Sequence, residues 1–397
     1  MELRSGLRKS PTSIRWSDKR GIMSETKNCG NKPVVRFAGF ADAWEQRKFG
    51  SLYQRRNEKN DGSIGAEKII TVSSMLFVSD VAISSPDYLK TYNIMNVGDI
   101  AFEGHKNKDF HHGRFVENTI GNGIVSHIFD VFKPILEYSL LYWKYAINNE
   151  HTMQKTIVRS TKDGRMMCNL VASDFFSQNI SIPSLQEQRC IGQLLDEVDR
   201  VVVLHQRKLD QLKTLKKSLL QKMFPEEGEN KPKIRFTGFA DAWEQRQFNE
   251  IADRFDNLRI PVEEGKRIPG NTPYFGANGI QDYVSGFTHD GEYILVAEDG
   301  ASDLVNYPVQ YVFGKIWVNN HSHVLRGKTN LVNTKFLKFA FCHSDIRPLL
   351  VGGSRAKLNA EALMNFRIFL PMSYAEQTMI GDFFSGLEDC IVLHQRE

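Results

Sequence analysis

The stretch RFAGFADAWEQR occupies Arg36 to Arg47, and RFTGFADAWEQR occupies Arg235 to Arg246. The two copies differ at one of their twelve positions, which chance does not produce. An internal repeat separated by so much chain indicates that a whole module has been duplicated. It does not indicate a solenoid, whose repeats are short and stacked.

A second pair of segments repeats in the same order. LQEQRCIGQLL begins at Leu185, and YAEQTMIGDFF begins at Tyr374. Both continue to the sequence LHQR, at Leu204–Arg207 and Leu393–Arg396. Each is preceded by a strand-like stretch that ends in proline. The two repeated pairs, entry stretch and helical stretch, are called the frame below.

The blocks inside the frame, Phe49–Pro183 and Phe248–Pro371, differ almost entirely from each other. A constant frame predicts a common docking surface, and a changed filling predicts that each module recognises something different. Drift after a recent duplication is the alternative, but drift would not leave the frame nearly identical.

Composition places the chain among ordinary globular proteins. Its 397 residues suffice for two or three domains, and 41% are hydrophobic and 25% charged. The net charge of +4 is compatible with nucleic-acid binding without requiring it. No apolar run approaches the roughly 20 residues of a membrane span, and no secretory signal is recognisable, so a cytoplasmic location is expected. The five cysteines form no close pair, which argues against a zinc site.

The predicted fold class is mixed α/β, with two recognition domains that are each followed by a long helix. The predicted segments are a disordered basic extension (1–32), a first domain (33–184), a first long helix (185–224), a linker (225–232), a second domain (233–372) and a second helix (373–397). The second helical segment stops at Glu397, and the part that would match residues 208–224 is missing from it.

The first helical segment has the heptad spacing of a coiled-coil seam. The predicted seam residues are Leu195, Val198, Val202, His205, Leu209, Leu212 and Leu219. No Gly or Pro interrupts the pattern between Gly192 and Pro225. His205 is interpreted as a device that sets the register of the seam and not as a ligand.

From about Val34 to Glu397, the chain resembles the specificity subunits of type I restriction-modification enzymes. The resemblance is carried by the RF-x-GF and WEQR entry, by the EQ-x-x-IG helix start and by three motifs of the second block. These motifs are TPYFGANGIQDY (Thr272–Tyr283), GEYILVAEDG (Gly291–Gly300) and KIWVNNHSHVL (Lys315–Leu325).

The resemblance implies that each block is a target-recognition domain that reads one half of a split sequence in double-stranded DNA. It also implies that the two long helices pair antiparallel and hold the domains apart. Two methyltransferase subunits would dock on the frame, where Phe37, Trp44, Phe236 and Trp243 are the expected contacts. For Trp44 and Trp243, packing within the chain is the alternative. Restriction subunits with motor and nuclease activity would join them. S-adenosylmethionine, ATP and magnesium would then belong to these partners, and no membrane is involved.

No catalytic set is recognisable, so the chain is predicted to be non-catalytic, with no cofactor and no metal of its own. Asn271–Tyr274 imitates the D/N-P-P-Y/F loop of an amino-methyltransferase but lacks one proline, and no Gly-rich loop for a methyl donor follows a strand. The cluster of His105, His111 and His112 lacks the i, i+4 spacing of a helical metal pair.

Two basic stretches of the first block are candidates for DNA contact. The first combines basic residues with Phe110 and Phe115, a composition that suits phosphate and base-edge contacts, although a solvated polar loop is the alternative. Its candidates are Lys106, Lys108, His111, His112 and Arg114. The second stretch lies shortly before Pro183, and its candidates are Arg159, Ser160, Lys162 and Arg165.

The second block has a basic, hydroxyl-bearing stretch at a similar distance before Pro371, with the candidates Ser354, Arg355 and Lys357. Because Asn pairs well with adenine edges, Asn278, Asn319, Asn320, His321 and His323 are candidates for base reading, although some are expected to be turn residues.

Three classes of function remain open from the sequence. The chain is a sequence-reading subunit of a larger enzyme, an autonomous two-domain DNA-binding regulator, or an enzyme with an unrecognised site. The repeated frame favours the first class, because a lone regulator needs no second docking surface.

Overall fold

The computed structural model describes residues 23–25, 33, 35–78, 85–108, 110–164, 167–304, 306–352 and 356–396. The chain forms two compact units, Met1–Val202 and Val203–Glu397. The division falls inside the long helix.

The first unit is built from short strands and three short helices. Its strands are β1 (Met23–Glu25), β2 (Val35–Phe37), β3 (Glu45–Lys48), β4 (Tyr53–Arg55), β5 (Ile70–Thr71), β6 (Leu76–Phe77), β7 (Asn93–Met95), β8 (Ile100–Glu103), β9 (Arg114–Glu117), β10 (Gly123–Val125), β11 (Val131–Pro134), β12 (Thr161–Asp163), β13 (Cys168–Leu170) and β14 (Asn179–Ile182). Its helices are α1 (Leu140–Ala146), α2 (Glu150–Ser160) and α3 (Ala172–Ser177), after which the long helix α4 (Leu185–Met223) begins.

An antiparallel sheet of four strands, in the order β4-β11-β8-β9, forms the centre of the first unit. Its apolar side chains meet an aromatic cluster in which Phe175 stacks on Phe49 and Phe115, with ring centroids 4.6 and 4.4 Å apart. All three rings are fully buried. Burial of such rings is the main source of stability in a domain with strands this short.

The second unit contains a larger sheet. Its strands are β15 (Glu244–Gln247), β16 (Ala252–Arg254), β17 (Pro269–Gly276), β18 (Gly279–Val284), β19 (His289–Ala297), β20 (Val309–Val318), β21 (Ser322–Gly327), β22 (Leu350–Val351), β23 (Lys357–Leu358) and β24 (Arg367–Leu370). Its helices are α5 (Phe248–Ile251), α6 (Thr334–His343), α7 (Ala360–Asn365) and α8 (Tyr374–Arg396). Six strands pair in the order β16-β21-β19-β20-β17-β18, and only the β17–β20 pair among them is parallel. Helix α6 packs on this sheet, and its Phe336, Phe339 and Phe341 rings are buried in the same hydrophobic cluster as Ile294 and Val296 of β19.

Helix α8 runs antiparallel to the second half of α4. His205 faces His394, with ring centroids 5.9 Å apart, and the Lys216 ammonium lies 2.6 Å from the Glu388 carboxylate. The higher-numbered residue of α4 therefore meets the lower-numbered residue of α8. The mixed α/β class and the antiparallel helix pair predicted from the sequence are confirmed.

The predicted seam is filled over only part of α4. Leu209 is buried, and Leu195, Leu212 and Leu219 are half-buried. Val198 and Val202, in contrast, are 50% and 61% exposed. From Leu209 onward the seam residues are buried or half-buried, in the part of α4 that pairs with α8.

Strand β1 lies inside the extension that was expected to be disordered. Met23–Glu25 pairs antiparallel with Val35–Phe37 of the frame. The expectation does not hold for these three residues, and the rest of residues 1–32 lies outside the described part. Among the described residues, no helix combines the length and apolar character that a membrane crossing requires.

Candidate nucleic-acid interface

The first arginine of each entry stretch forms a buried ion pair with the glutamate of the EQ motif. Arg36 Nε and Nη2 donate to the two carboxylate oxygens of Glu187, both at 2.7 Å. Arg235 donates in the same way to Glu376, at 2.6 and 2.8 Å. Such bidentate geometry joins the entry stretch to the base of the helix in both units.

The glutamine of the EQ motif connects two further elements to the helix. Gln188 Nε2 donates to the Pro183 carbonyl at 3.0 Å, and its Oε1 accepts from the Ser139 amide at 3.3 Å, at the start of α1. Gln377 makes the equivalent bonds to the Pro371 carbonyl and to the N-cap of α6, both at 2.8 Å. The side-chain amide of each glutamine thus hydrogen-bonds to a backbone carbonyl at the end of a strand and to a backbone amide at the start of a helix.

The WEQR strand of each entry stretch pairs with the strand that closes the same block. Glu45 of β3 faces Ile182 of β14, and Glu244 of β15 faces Leu370 of β24, both antiparallel. The beginning and the end of each block therefore lie side by side. The frame fastens each block to its helix.

For Trp243, the structure decides between the two predicted roles, packing and docking, and removes this residue from the predicted docking surface. Trp243 is only 3% exposed and packs edge-on against Phe224, with ring centroids 5.6 Å apart. Its ring belongs to the core of the second unit and cannot meet another subunit. Phe37, Trp44 and Phe236 are half-buried.

The two basic stretches of the first unit lie against each other. The Cys168 amide donates to the Gly104 carbonyl at 2.8 Å, and His105 forms a β-bridge with Met167. The Lys106 ammonium lies 2.9 Å from the Asp163 carboxylate. Residues about 60 positions apart in the sequence thus share one surface at the end of β8.

Most candidates of this first surface are accessible. Lys106, Lys108, His111, Arg159 and Lys162 are exposed, and His112 and Arg114 are half-buried. The Arg114 guanidinium lies over the Phe110 ring, 4.6 Å from its centroid, and also donates to the Ser73 carbonyl. Ser160, in contrast, is fully buried at the end of α2, so its predicted contact with DNA is wrong. Arg165 lies outside the described residues.

The second unit places its basic stretch in the equivalent position. The Leu358 amide donates to the Glu298 carbonyl at 2.7 Å, and Lys357 forms a β-bridge with Asp299. The exposed Lys357 ammonium lies 3.1 Å from the Glu298 carboxylate. In both units, a strand of the basic stretch therefore bonds to the residues that immediately follow the central strand, β8 or β19.

The other candidates of the second unit separate into accessible and buried residues. Asn320 is exposed, and His321 is half-buried with its Nδ1 against the Asp299 carboxylate. Asn319 is only 4% exposed and accepts from the His321 amide at 2.8 Å, so its predicted role in base reading is wrong. The same holds for His323, which is 1% exposed and has its Nδ1 2.7 Å from the Asp256 carboxylate.

Asn278 is exposed but holds a loop together. Its side chain donates to the Gly300 carbonyl at 2.8 Å and accepts from the Ser302 amide at 2.9 Å. It is thus one of the expected turn residues. Ser354 and Arg355 lie outside the described residues.

Carboxylates hold the exposed cations of both surfaces in place. The hydrogen bond to Asp163 raises the pKa of Lys106. Burial would raise the pKa of Glu298, but hydrogen bonds from Arg259 and Lys357 outweigh it and lower that pKa. Lys106 and Lys357 are thus each held beside a carboxylate, where a phosphate could compete for them.

Sequence reasoning missed the residues that organise these surfaces. Arg259 donates to the Glu298 carboxylate and to the Ser322 carbonyl, both at 2.8 Å, and no motif marked it. The Arg36–Glu187 pair could have been found, because both residues recur at matching positions of the two copies.

A family model for the type I restriction modification DNA specificity domain matches residues 18–214 and 240–397 of this chain. A putative type I restriction enzyme specificity subunit of Haemophilus influenzae is 45% identical over 128 residues, which are 32% of this chain and 33% of that protein. The matched region thus spans about a third of the length of this curated relative.

The fold of this chain resembles that of a solved structure, and a second solved structure has a lower TM-score. The crystal structure of a type I restriction-modification S subunit from M. genitalium has a TM-score of 0.59 and 14% identity, over 89% of this chain and 91% of that chain. The crystal structure of the HsdS subunit from Thermoanaerobacter tengcongensis has a TM-score of 0.43 and 16% identity, over 89% and 91% of the two chains.

Proposed function

Because the chain belongs to the family defined by the type I restriction-modification DNA specificity domain, we propose that it is the subunit that reads the DNA target for a larger restriction-modification assembly. Each unit recognises one half of a bipartite target in double-stranded DNA. Methylation of adenine and cleavage are carried out by partner subunits.

The observation that carries this proposal is the equivalent placement of two basic surfaces in blocks of unlike sequence. In each unit, an amide shortly after the basic stretch bonds to a carbonyl just beyond the central strand: Cys168 to Gly104 in one unit and Leu358 to Glu298 in the other. The side chains around these bonds differ. A shared backbone geometry with different side chains is what two readers of different base sequences require, because phosphate contacts position a protein and base-edge contacts specify the sequence.

The proposed partners are two methyltransferase subunits and the restriction subunits that join them. Exposed valines on α4 support a docking role for this helix, because Val198, Val201 and Val202 are between 50% and 61% exposed. Exposed apolar side chains in a row on a helix favour the binding of a partner that removes them from water. In this proposal the partners bind S-adenosylmethionine, ATP and magnesium, and the present chain contributes no catalytic group.

The test is to compare the purified chain with the chain co-expressed with a methyltransferase partner. Each sample is incubated with DNA, labelled S-adenosylmethionine, ATP and magnesium. We expect DNA binding by the chain alone, and methylation at a two-part sequence only with the partner. Methylation or cleavage that remains with the chain after complete separation from partners would overturn the non-catalytic role. Sequence-specific binding without capture of any methyltransferase would instead indicate an autonomous regulator.

A further inference from the structure

Three side chains that can bind metals converge in the first unit, outside the frame. The ligand atoms of His112, Asp163 and Cys168 all lie within 4.8 Å of one another. Cys168 Sγ lies 3.5 Å from Asp163 Oδ1. His112 precedes β9, and the other two residues face each other across the β12–β13 hairpin.

The backbone holds these three residues together independently of their side chains. The bond from the Cys168 amide to the Gly104 carbonyl fixes the hairpin to the end of β8. The turn that carries His112 is fixed to the same strand end, because Arg114 of β9 pairs with Glu103 of β8. The approach is close, since a Cβ added at Gly113 would meet the Glu103 carbonyl oxygen at 2.6 Å. Gly113 also has a positive φ of 79°, which favours glycine at this point of the turn.

We propose that His112, Asp163 and Cys168 form a binding site for a divalent transition-metal cation of the zinc class. One imidazole nitrogen, one carboxylate oxygen and one thiolate sulfur are ligands that zinc prefers, whereas magnesium and calcium favour oxygen ligands alone. Three protein ligands leave a fourth position for water.

The distance between the sulfur and oxygen ligand atoms suits a tetrahedral ion. With zinc–sulfur and zinc–oxygen bonds of about 2.3 and 2.1 Å, the two ligand atoms lie about 3.6 Å apart. The separation of Cys168 Sγ and Asp163 Oδ1 is already 3.5 Å. The half-buried imidazole of His112 has to move inward by rotation of its side chain, and the backbone can stay in place.

Binding of the metal would replace the hydrogen-bond contacts of the Cys168 thiol and leave the ion pair between Lys106 and Asp163 in place. The Cys168 thiol loses its proton to solvent as the sulfur–metal bond forms. Its hydrogen-bond contacts to Asp163 Oδ1 at 3.5 Å and to the His111 carbonyl at 3.9 Å are then lost. The Lys106 ammonium, 2.9 Å from Asp163, can remain on the carboxylate as an outer neighbour of the metal. The metal then links the turn before β9 to the β12–β13 hairpin. This site does not depend on the proposed function, since its ligands are defined by their own geometry.

The experiment uses the full chain, freed of metal with a chelator and titrated with zinc or cobalt(II). We expect about one ion per chain, a thiolate-to-cobalt charge-transfer band in the near ultraviolet, and a higher melting temperature with zinc. Loss of an outer-shell partner alone costs about 10- to 100-fold in metal affinity. Replacement of a direct ligand in Cys168→Ser, Asp163→Asn or His112→Gln should therefore weaken zinc binding by about 100-fold or more.

Matched variants control for nonspecific effects. His111→Gln alters the exposed neighbour of His112, and Cys390→Ser alters an exposed cysteine in α8, so both should bind zinc like the wild type. Because Cys168 is buried, its variant could perturb folding, but Asp163→Asn changes an exposed carboxylate and keeps the test decisive. Absence of the cobalt–thiolate band in the wild type would overturn the proposal. Its persistence in Cys168→Ser, or unchanged zinc affinity in both Asp163→Asn and His112→Gln, would overturn it as well.

Discussion

At the scale of single residues, the frame depends on charges that are almost completely removed from solvent. The side chains of Arg36 and Glu187 are 4% and 1% exposed. A buried charge that loses its partner destabilises a protein strongly, whereas a pair of exposed charges contributes little. The pairs therefore specify how the entry stretch lies on the helix.

The Glu187→Gln variant should lower the free energy of unfolding by about 3 kcal/mol, because it leaves the Arg36 guanidinium buried without a counter-charge. The control is Glu137→Gln, which removes the ion pair to Arg189 between side chains that are 57% and 73% exposed and should cost less than about 1 kcal/mol. Urea denaturation measures both. Equal losses in the two variants would contradict the assigned role of the buried pair.

The Lys357→Ala variant should weaken DNA binding and reduce the slope of log affinity against log salt by about one unit, as expected for one lost phosphate contact. Lys335→Ala is the matched control, because Lys335 lies on α6 and pairs with Asp382 at 2.8 Å. Binding titrations at several salt concentrations distinguish the two variants. An unchanged slope for Lys357→Ala would remove this residue from the interface.

Glu117 of β9 predicts a pH dependence of stability. Burial raises its pKa to about 9, and Lys144 opposes this only weakly. Neither carboxylate oxygen has a hydrogen-bond partner within the described part of the chain. The folded state therefore holds the proton of Glu117 more tightly than the unfolded state does. The contribution of this group to the free energy of unfolding is greatest below pH 4.5 and is lost as the pH rises toward 9.

The isosteric variant Glu117→Gln should remove this loss of stability at higher pH, because glutamine does not ionise. We expect it to be more stable than the wild type by about 3 kcal/mol at pH 7, since each pKa unit corresponds to about 1.4 kcal/mol, and equal to it near pH 4. Denaturation midpoints of both proteins between pH 4 and pH 9 provide the measurement. Parallel pH profiles would show that Glu117 is not the group responsible.

At the scale of elements, the glycine of each IG motif allows a helix to approach its neighbour. A Cβ at Gly192 would meet the Tyr142 amide nitrogen at 2.6 Å, and one at Gly381 would meet the Phe336 amide nitrogen at 2.9 Å. Both contacts are with backbone, which cannot give way like a flexible side chain. The repeated glycine is therefore explained by the packing of α4 on α1 and of α8 on α6.

Two glycines of α8 test this explanation directly. Gly381→Ala should destabilise the protein by about 1–3 kcal/mol through overpacking. Gly386→Ala should be neutral or stabilising by up to about 1 kcal/mol, because nothing lies within 4 Å of the added methyl group and alanine favours the helix. The melting temperatures of the two variants should shift in opposite directions, or the decrease for Gly381→Ala should be clearly the larger. Similar destabilisation by both would refute the close-approach argument.

At the scale of the whole molecule, each block enters and leaves its unit through neighbouring strands. The β3–β14 pair closes the first block and the β15–β24 pair closes the second, in matching register. A block held in this way can be exchanged without altering the frame contacts of either unit.

Exchange of the block Phe49–Pro183 for that of another family member should therefore give a folded chain. In the assembly with a methyltransferase, only one half of the methylated target should change. Mapping of methylated positions in genomic DNA measures this, and the unaltered chain serves as the reference. A simultaneous change of both half-sites would show that the two units do not read independently.

The sequence by itself determined the modular organisation, because a repeat is visible without any structure. It predicted the frame, the mixed α/β class and a long helix over 185–224, which was found at Leu185–Met223. Heptad spacing and the prolines that follow a helix are local signals, so they suffice for an element and its ends.

Only the tertiary structure decided which side chains face solvent and which meet across the chain. Ser160, Asn319 and Trp243 have the residue types of a binding surface, yet each is buried by segments distant in the sequence. His112 and Cys168 have no motif spacing, yet they meet because a turn and a hairpin are fixed to the same strand end. Burial and proximity of this kind arise from long-range packing, which the order of residues along one segment does not specify.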